Sequence, residues 1–96
     1  MRQVRWSRDA RSDMAGIDAY YQSFSRDFAK RVMAEAIAAG RVLLRHPQAG
    51  PVVDDSGLRK WRVPKTPYIL FYRSTETELR IVRVIHAAQN WQKEIE

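Results

Sequence analysis

Residues 58–86 read LRKWRVPKTPYILFYRSTETELRIVRVIH. Apolar and polar side chains alternate with a period of two over Leu58–Val63, Tyr68–Arg73 and Leu79–His86, the signature of strands. Pro64-Lys65-Thr66-Pro67 joins the first pair and Ser74–Glu78 the second. Links this short predict an antiparallel meander. Upstream, Pro47–Gly57 is a loop rich in Pro, Gly and Asp, and before it the period changes to that of a helix. Phe28, Val32, Ala36, Ala39 and Leu43 form one stripe, widened by Met33, Ile37 and Leu44, with Ser25 as N-cap and Pro47 as terminator after His46. Ala10, Met14, Ile17, Tyr21 and Phe24 form a second stripe, opened by Ser7 with Asp9 in its first turn. The two helices are joined closely enough to form an αα-hairpin. Ala36, Ala39 and Gly40 predict close packing of the second helix against a neighbour. Gln3-Val4-Arg5-Trp6 is a short strand. The expected fold is therefore α+β, in the order βααβββ, with an antiparallel sheet packed against the αα-hairpin. It is expected as one domain over residues 1–96, ending in a polar segment, 87–96, that is either a short helix or a mobile tail.

Length and composition agree with this. Ninety-six residues suffice for one modest core. The apolar share of 45% and charged share of 29% are those of a globular chain, not a disordered one. No apolar run is long enough to span a membrane. The charged start, Met1–Arg11, holds no secretory apolar core, and cysteine is absent. A reducing, cytoplasmic location is expected. Seventeen bases, thirteen of them Arg, against eleven acids give a net charge of +6, which calls for an acidic partner. The excess is uneven: residues 1–57 carry +2 and residues 58–96 carry +4.

Alternation along the strands assigns the faces of the sheet. Trp61, Val63, Leu70, Val82 and Val84 are expected beneath the helices. Lys60, Arg62, Ile69, Phe71, Arg73, Ile81, Arg83 and Ile85 then share the opposite face, half basic and half apolar. An apolar surface left bare on a small domain marks a partner site.

Several segments, in order along the chain, resemble the ParE branch of the RelE/ParE toxin superfamily of type II toxin–antitoxin systems. They are Trp6-Ser7 with Ala10 and Asp13, Ile17 with Tyr20-Tyr21, LLRHPQAG at 43–50, and Leu58-Arg59. Then come Thr66-Pro67-Tyr68-Ile69 with Phe71-Tyr72-Arg73, and IVRVIHAAQNW at 81–91. The resemblance implies the same βααβββ fold and a toxin without cofactor. RelE-like members cleave mRNA in the ribosome without a metal, whereas ParE-like members poison DNA gyrase. Both are held inactive by an antitoxin whose C-terminal segment wraps the toxin.

The residues favour binding over cleavage. Metal-free RNA cleavage needs a base, an acid and cations for the phosphorane charge. Lys60 and Arg62 match the basic pair of the ribonucleases, but Ile69 follows Tyr68 where those enzymes carry Arg, and Gln89 stands where they carry another. Each missing cation is worth about 3 kcal/mol of transition-state stabilisation. His86 is the one tempting acid–base group, a weak catalytic candidate with no arranged carboxylate. His46 is expected to cap its helix, and neither His belongs to a metal-ligand cluster. The reading is a gyrase-binding toxin, acting through the A subunit, rather than an enzyme. It is expected in a hetero-oligomer with a ParD-like antitoxin that carries an acidic amphipathic C-terminal segment. A RelE-like ribonuclease is the alternative, and a small basic nucleic-acid-binding protein a weaker third, since no helix-turn-helix, zinc-finger or RNP signature is present. Lys60, Arg62, Ile69, Phe71, Arg73, Arg83 and Trp91 are the candidates for antitoxin or target contact.

Charge reversal at Arg62 together with Arg73 should weaken the antitoxin complex, and added salt should weaken it further. Titration calorimetry checks this; an affinity unchanged by both reversals would remove the basic face from the interface.

Overall fold

The computed structural model describes residues 2–95. Strand β1 (Gln3–Trp6) leads into helices α1 (Arg8–Gln22) and α2 (Arg26–Arg45), and strands β2 (Arg59–Arg62), β3 (Tyr68–Ser74) and β4 (Glu78–His86) follow, with a one-turn helix α3 (Trp91–Glu94) at the end. This is the α+β, βααβββ architecture. The sheet order is β1-β4-β3-β2. The meander β2-β3-β4 is antiparallel, but β1 lies parallel to β4, so the sheet is mixed rather than wholly antiparallel. The helical hairpin supplies the crossover that a parallel neighbour needs.

The helices start and stop for local reasons. Ser7 Oγ accepts from the Ala10 amide at 2.9 Å and Ser25 Oγ from the Phe28 amide at 3.4 Å. At the other end of α2 the His46 amide donates to the Val42 carbonyl at 3.0 Å, and Pro47 forbids continuation. The main core sits between the hairpin and one sheet face. Ala10, Ile17, Val32, Ala36, Ala39 and Leu43 meet Val63, Leu70, Tyr72, Leu79, Ile81 and Val84 there. Gly40 packs against β1 as its neighbours suggested: a Cβ there would lie 3.4 Å from Val4 Cγ1. Two stripe members fall outside this core. Phe24 lies past the end of α1 and is 62% exposed, and Ile37 is 45% exposed on the outer side of α2.

A bulge corrects the expected sheet faces. Phe71 pairs with Arg83, but Tyr72 pairs with Ile81, so Val82 is an extra residue in β4. One inserted residue inverts the alternation beyond it. Ile81 therefore packs under the helices and Val82 on the opposite face, the reverse of the strict period-two reading. The polar groups that the bulge frees are taken up by α1. Ser7 Oγ donates to the Val82 carbonyl at 2.7 Å. The Val84 amide donates to Asp13 Oδ2 at 2.9 Å, and Arg83 grips the same carboxylate at 2.7 and 3.0 Å.

Asp13→Ala would strip the bulge of three hydrogen bonds and leave Arg83 half-buried without its carboxylate. A loss of about 2–3 kcal/mol is expected. Urea unfolding measures it; a midpoint equal to that of the parent would mean that the bulge does not need α1.

Candidate functional site

The loop before β2 sets the meander's outer corner. Tyr72 is fully buried, and its hydroxyl donates to the Pro47 carbonyl at 2.9 Å while accepting from the Gly50 amide at 2.9 Å. Burial pushes the Tyr72 hydroxyl above its ordinary pKa. A side chain at Gly50 would overlap the Lys60 carbonyl, so only glycine lets the loop lie this close to β2. Arg59 Nη1 completes the tie, donating to the Gly50 carbonyl at 2.7 Å. Held in this way, β2 presents Lys60 and Arg62 beside Ile69, Pro51 and Trp61, which together line a shallow cavity of about 250 Å³. Arg62 Nε donates to the Thr66 carbonyl at 3.1 Å, and Lys60 Nζ stands 5.0 Å from the centre of the Trp91 ring, a cation–π distance.

The opposite sheet face is not bare. Leu58, Phe71 and Ile85 are buried there beneath Val53, Ile69, Val82, Trp91 and Ile95. The cover is the chain's own loop and tail: the Trp91 ring lies 5.3 Å from that of Phe71. Phe71 is therefore core, and Trp91 is the lid over it. The basic residues of this face are drawn into the same framework. Arg73 Nη2 donates to Ser56 Oγ at 2.8 Å, and Ser56 Oγ in turn donates to Asp54 Oδ1 at 2.7 Å. The Ser56 hydroxyl, with backbone amides and the Arg73 charge behind it, holds the Asp54 carboxyl below the usual range. Arg83 is 23% exposed and bound to Asp13, with the Glu94 carboxylate 3.9 Å away, so it is no free base. The Asp13 hydrogen bonds raise its pKa further. Among the described residues, no carboxylate lies within 4 Å of Lys60, Arg62 or Arg73.

His86 ends β4 in a separate groove of about 320 Å³ between that strand and α1, lined by Ser12, Gly16, Tyr20, Tyr68 and Gln89 among others. Its Nδ1 accepts from the Ala88 amide at 3.0 Å, and its ring meets Tyr68 edge-on at 5.3 Å. Gln89 Oε1 accepts from the His86 amide at 3.3 Å. Tyr68 donates to the Tyr21 hydroxyl at 3.3 Å, and burial drives its pKa well above the ordinary value. The one guanidinium lining this groove is Arg83, already committed to Asp13. No group of three or more His, Asp or Glu side chains suited to a metal occurs among the described residues. No helix of the described residues is long and apolar enough to cross a membrane.

The candidates therefore divide. Lys60, Arg62 and Ile69 come together at β2, with Trp91 reached through Lys60; Phe71 is buried, Arg73 belongs to the loop, and Arg83 and His86 lie towards α1. Sequence reasoning missed Asp13, Ser7 and Tyr72 as organisers. Asp13 carried a signal: it is an acid one step before Met14 on a helix whose apolar side faces a strand with an unmatched Arg.

A family model described as the ParE toxin of type II toxin–antitoxin systems, parDE, matches residues 4–91. A Sinorhizobium fredii protein named "Putative toxin Y4kP" is 30% identical over 90 residues, which are 94% of this chain and 93% of that protein. Among solved structures, the chromosomal ParDE TA system from P. aeruginosa superposes with a TM-score of 0.77 at 20% identity, covering 90% of this chain and 96% of that one. A chain of the E. coli DinJ–YafQ complex structure is a further neighbour, with a TM-score of 0.59 at 20% identity over 92% of this chain and 96% of that one.

Trp91→Ala should uncover Phe71 and Ile85 at a cost of about 2 kcal/mol. Amide exchange across 87–95 should accelerate. Parent-like exchange and an unmoved unfolding midpoint would show that the tail is held by something else.

Proposed function

Because the chain belongs to the ParE toxin family of type II toxin–antitoxin systems, we propose that it arrests growth by binding DNA gyrase, through the A subunit, and holding the cleaved-DNA state. A poison of this kind needs preferential affinity for one conformational state of its target and no catalytic constellation. The observation that carries this reading is the incomplete cation set. Lys60 and Arg62 stand together at β2, but their cavity neighbour is Ile69, an apolar side chain that stabilises no phosphate charge. Arg83 is spent on Asp13, and the Nδ1 of His86 is spent on a backbone amide. Such groups are suited to gripping a protein surface through Arg and Lys at the edge of an apolar patch.

The same reading includes a cognate ParD-like antitoxin. The likeness to the P. aeruginosa ParDE system and to the E. coli DinJ–YafQ complex supports a partner of that kind. The net charge of +6 asks for an acidic one. In this reading its C-terminal segment is acidic and amphipathic, and a hetero-oligomer is the resting form.

Purified chain added to gyrase and relaxed plasmid should block supercoiling and accumulate cleaved DNA on denaturation with detergent. Ribosome-bound mRNA incubated with the same preparation should remain whole. Cleavage of that mRNA with gyrase unaffected would replace the poison by a RelE-like ribonuclease.

A further inference from the structure

Helix α2 carries a second basic surface, on its exposed side. Its positions 26, 30, 34, 37, 41 and 45 recur at steps of four and three, so they share one side of the helix. They are Arg26, Lys30, Ala34, Ile37, Arg41 and Arg45, and they form a ridge about 28 Å long. Arg26, Lys30, Ala34, Arg41 and Arg45 are all exposed, and Ile37, at the centre, is 45% exposed. Among the described residues no carboxylate lies within 4 Å of any of these four cations. The helix's Glu35 is turned to Lys65 at 3.9 Å, and its other acid, Asp27, lies in the first turn.

The chain accounts for only part of this ridge: Arg26 Nε donates to Gln22 Oε1 at 3.3 Å, and Arg45, in the last turn, suits the negative end of the helix dipole, whereas Lys30, Arg41 and Ile37 are left over. Arg26 with Lys30, and Arg41 with Arg45, are like-charge pairs at i,i+4, which weaken a helix. Ile37 adds apolar surface in water between them. All three features become favourable against one kind of partner. We infer that the outer side of α2 is a docking ridge for an acidic amphipathic helix, and, resting on the toxin–antitoxin reading above, that this helix belongs to the antitoxin. Ala34 and Ala38 leave the centre of the ridge low, so a partner helix can approach to ordinary interhelical distance. Its apolar side covers Ile37 and the two alanines. Its carboxylates, about three turns apart, meet Lys30 on one side and Arg41 on the other, with Arg26 and Arg45 beyond. A nucleic-acid backbone would satisfy the cations but would leave Ile37 without a partner. The sheet's outer face, where the sequence alone leads us to expect the antitoxin, is a poorer place for the same helix, since Trp91 and Ile95 already fill it and Arg73 is tied to Ser56.

The test uses the full chain and a synthetic capped helical peptide of about 20 residues, with Leu and Ala in its central turns and Glu in the flanking ones. Calorimetry should show binding that a scrambled peptide of equal composition lacks. Lys30→Glu with Arg41→Glu should weaken it by about tenfold or more, and salt should do likewise. The control Arg5→Glu with Arg80→Glu changes the net charge equally and should stay within about threefold. Ile37→Ser leaves the charge alone and should still weaken the peptide, while binding of a 20-base-pair duplex probe should not change, a length of about two helical turns. All variants alter exposed positions, and thermal melting confirms that each is folded. Equal binding of the scrambled peptide, or a peptide affinity indifferent to both the α2 reversal and Ile37→Ser, would overturn the ridge. So would a reversal that abolishes duplex binding and spares the peptide, which would make the ridge a nucleic-acid contact. Gyrase inhibition measured on the same variants is independent: its absence in the parent chain would sink the target and leave the ridge to the peptide titration.

Discussion

One inserted residue in β4 decides which side chains meet the helices. Val82 breaks the period of two, so Leu79 and Ile81 point under the hairpin before it, and Val84 does so after it. An interruption in the middle of a sheet leaves a carbonyl and an amide without ladder partners, and a buried orphan of either kind costs about 1–3 kcal/mol. Helix α1 removes both costs. Ser7 is at once the N-cap of α1 and the donor to the Val82 carbonyl, and Asp13, under two turns later, takes the Val84 amide. The bulge thereby locates the helix along the sheet, and the helix makes the bulge tolerable. Arg83, brought beside Asp13 by the same irregularity, closes the arrangement as a paired charge.

A second tie works at the other end of the sheet and has a different consequence. Tyr72 holds loop 47–50 by two hydrogen bonds, and Gly50 permits the contact. This fixes the approach to β2, and so where Lys60 and Arg62 project. Neither tie touches those two cations directly. Their position follows from the strand: β2 is the last strand of the sheet, with only loop 51–53 beyond it, through the Val52–Arg59 bridge and the Lys60 amide to the Pro51 carbonyl, and charged side chains on an edge also discourage pairing with a further strand.

The parts of this fold that were legible in the sequence are those set by local periodicity. The two stripes, the Ser7 and Ser25 caps, the Pro47 stop and the three meander strands each need only a few neighbouring residues. The parallel seat of β1 was not legible, because short strands of four residues carry no mark of their direction. The Val82 bulge was hidden for a related reason: in IVRVIH every position beside the Arg is apolar, so either alternation fits until Asp13 and Ser7 are placed in space. The cover over Phe71 was hidden because Trp91 and Ile95 sit in an otherwise polar tail, where two apolar residues four apart give too weak a pattern to predict one docked turn. The candidate site was legible at Lys60, Arg62 and Ile69, which are neighbours across a register that the meander dictates. Arg73 and Arg83 share the sheet with them but are held by Ser56 and Asp13, partners that only tertiary structure supplies.

The positive charge of the chain can now be divided by what opposes it. Arg83, Arg80 and Lys65 have carboxylates nearby and contribute to cohesion rather than to attraction. Among the described residues, the bases without one include Lys60 and Arg62 at β2, and Arg26, Lys30, Arg41 and Arg45 along one side of α2. Both sets border exposed or half-buried apolar side chains, Ile69 and Trp61 in the first and Ile37 in the second. Cations meant for phosphate alone gain nothing from an adjoining isoleucine, whereas an interface core does. Two such surfaces on so small a domain also suit a toxin that must meet both a target and an inhibitor. If the two surfaces are distinct, the inhibitor need not imitate the target, and its own affinity can be tuned without changing toxicity.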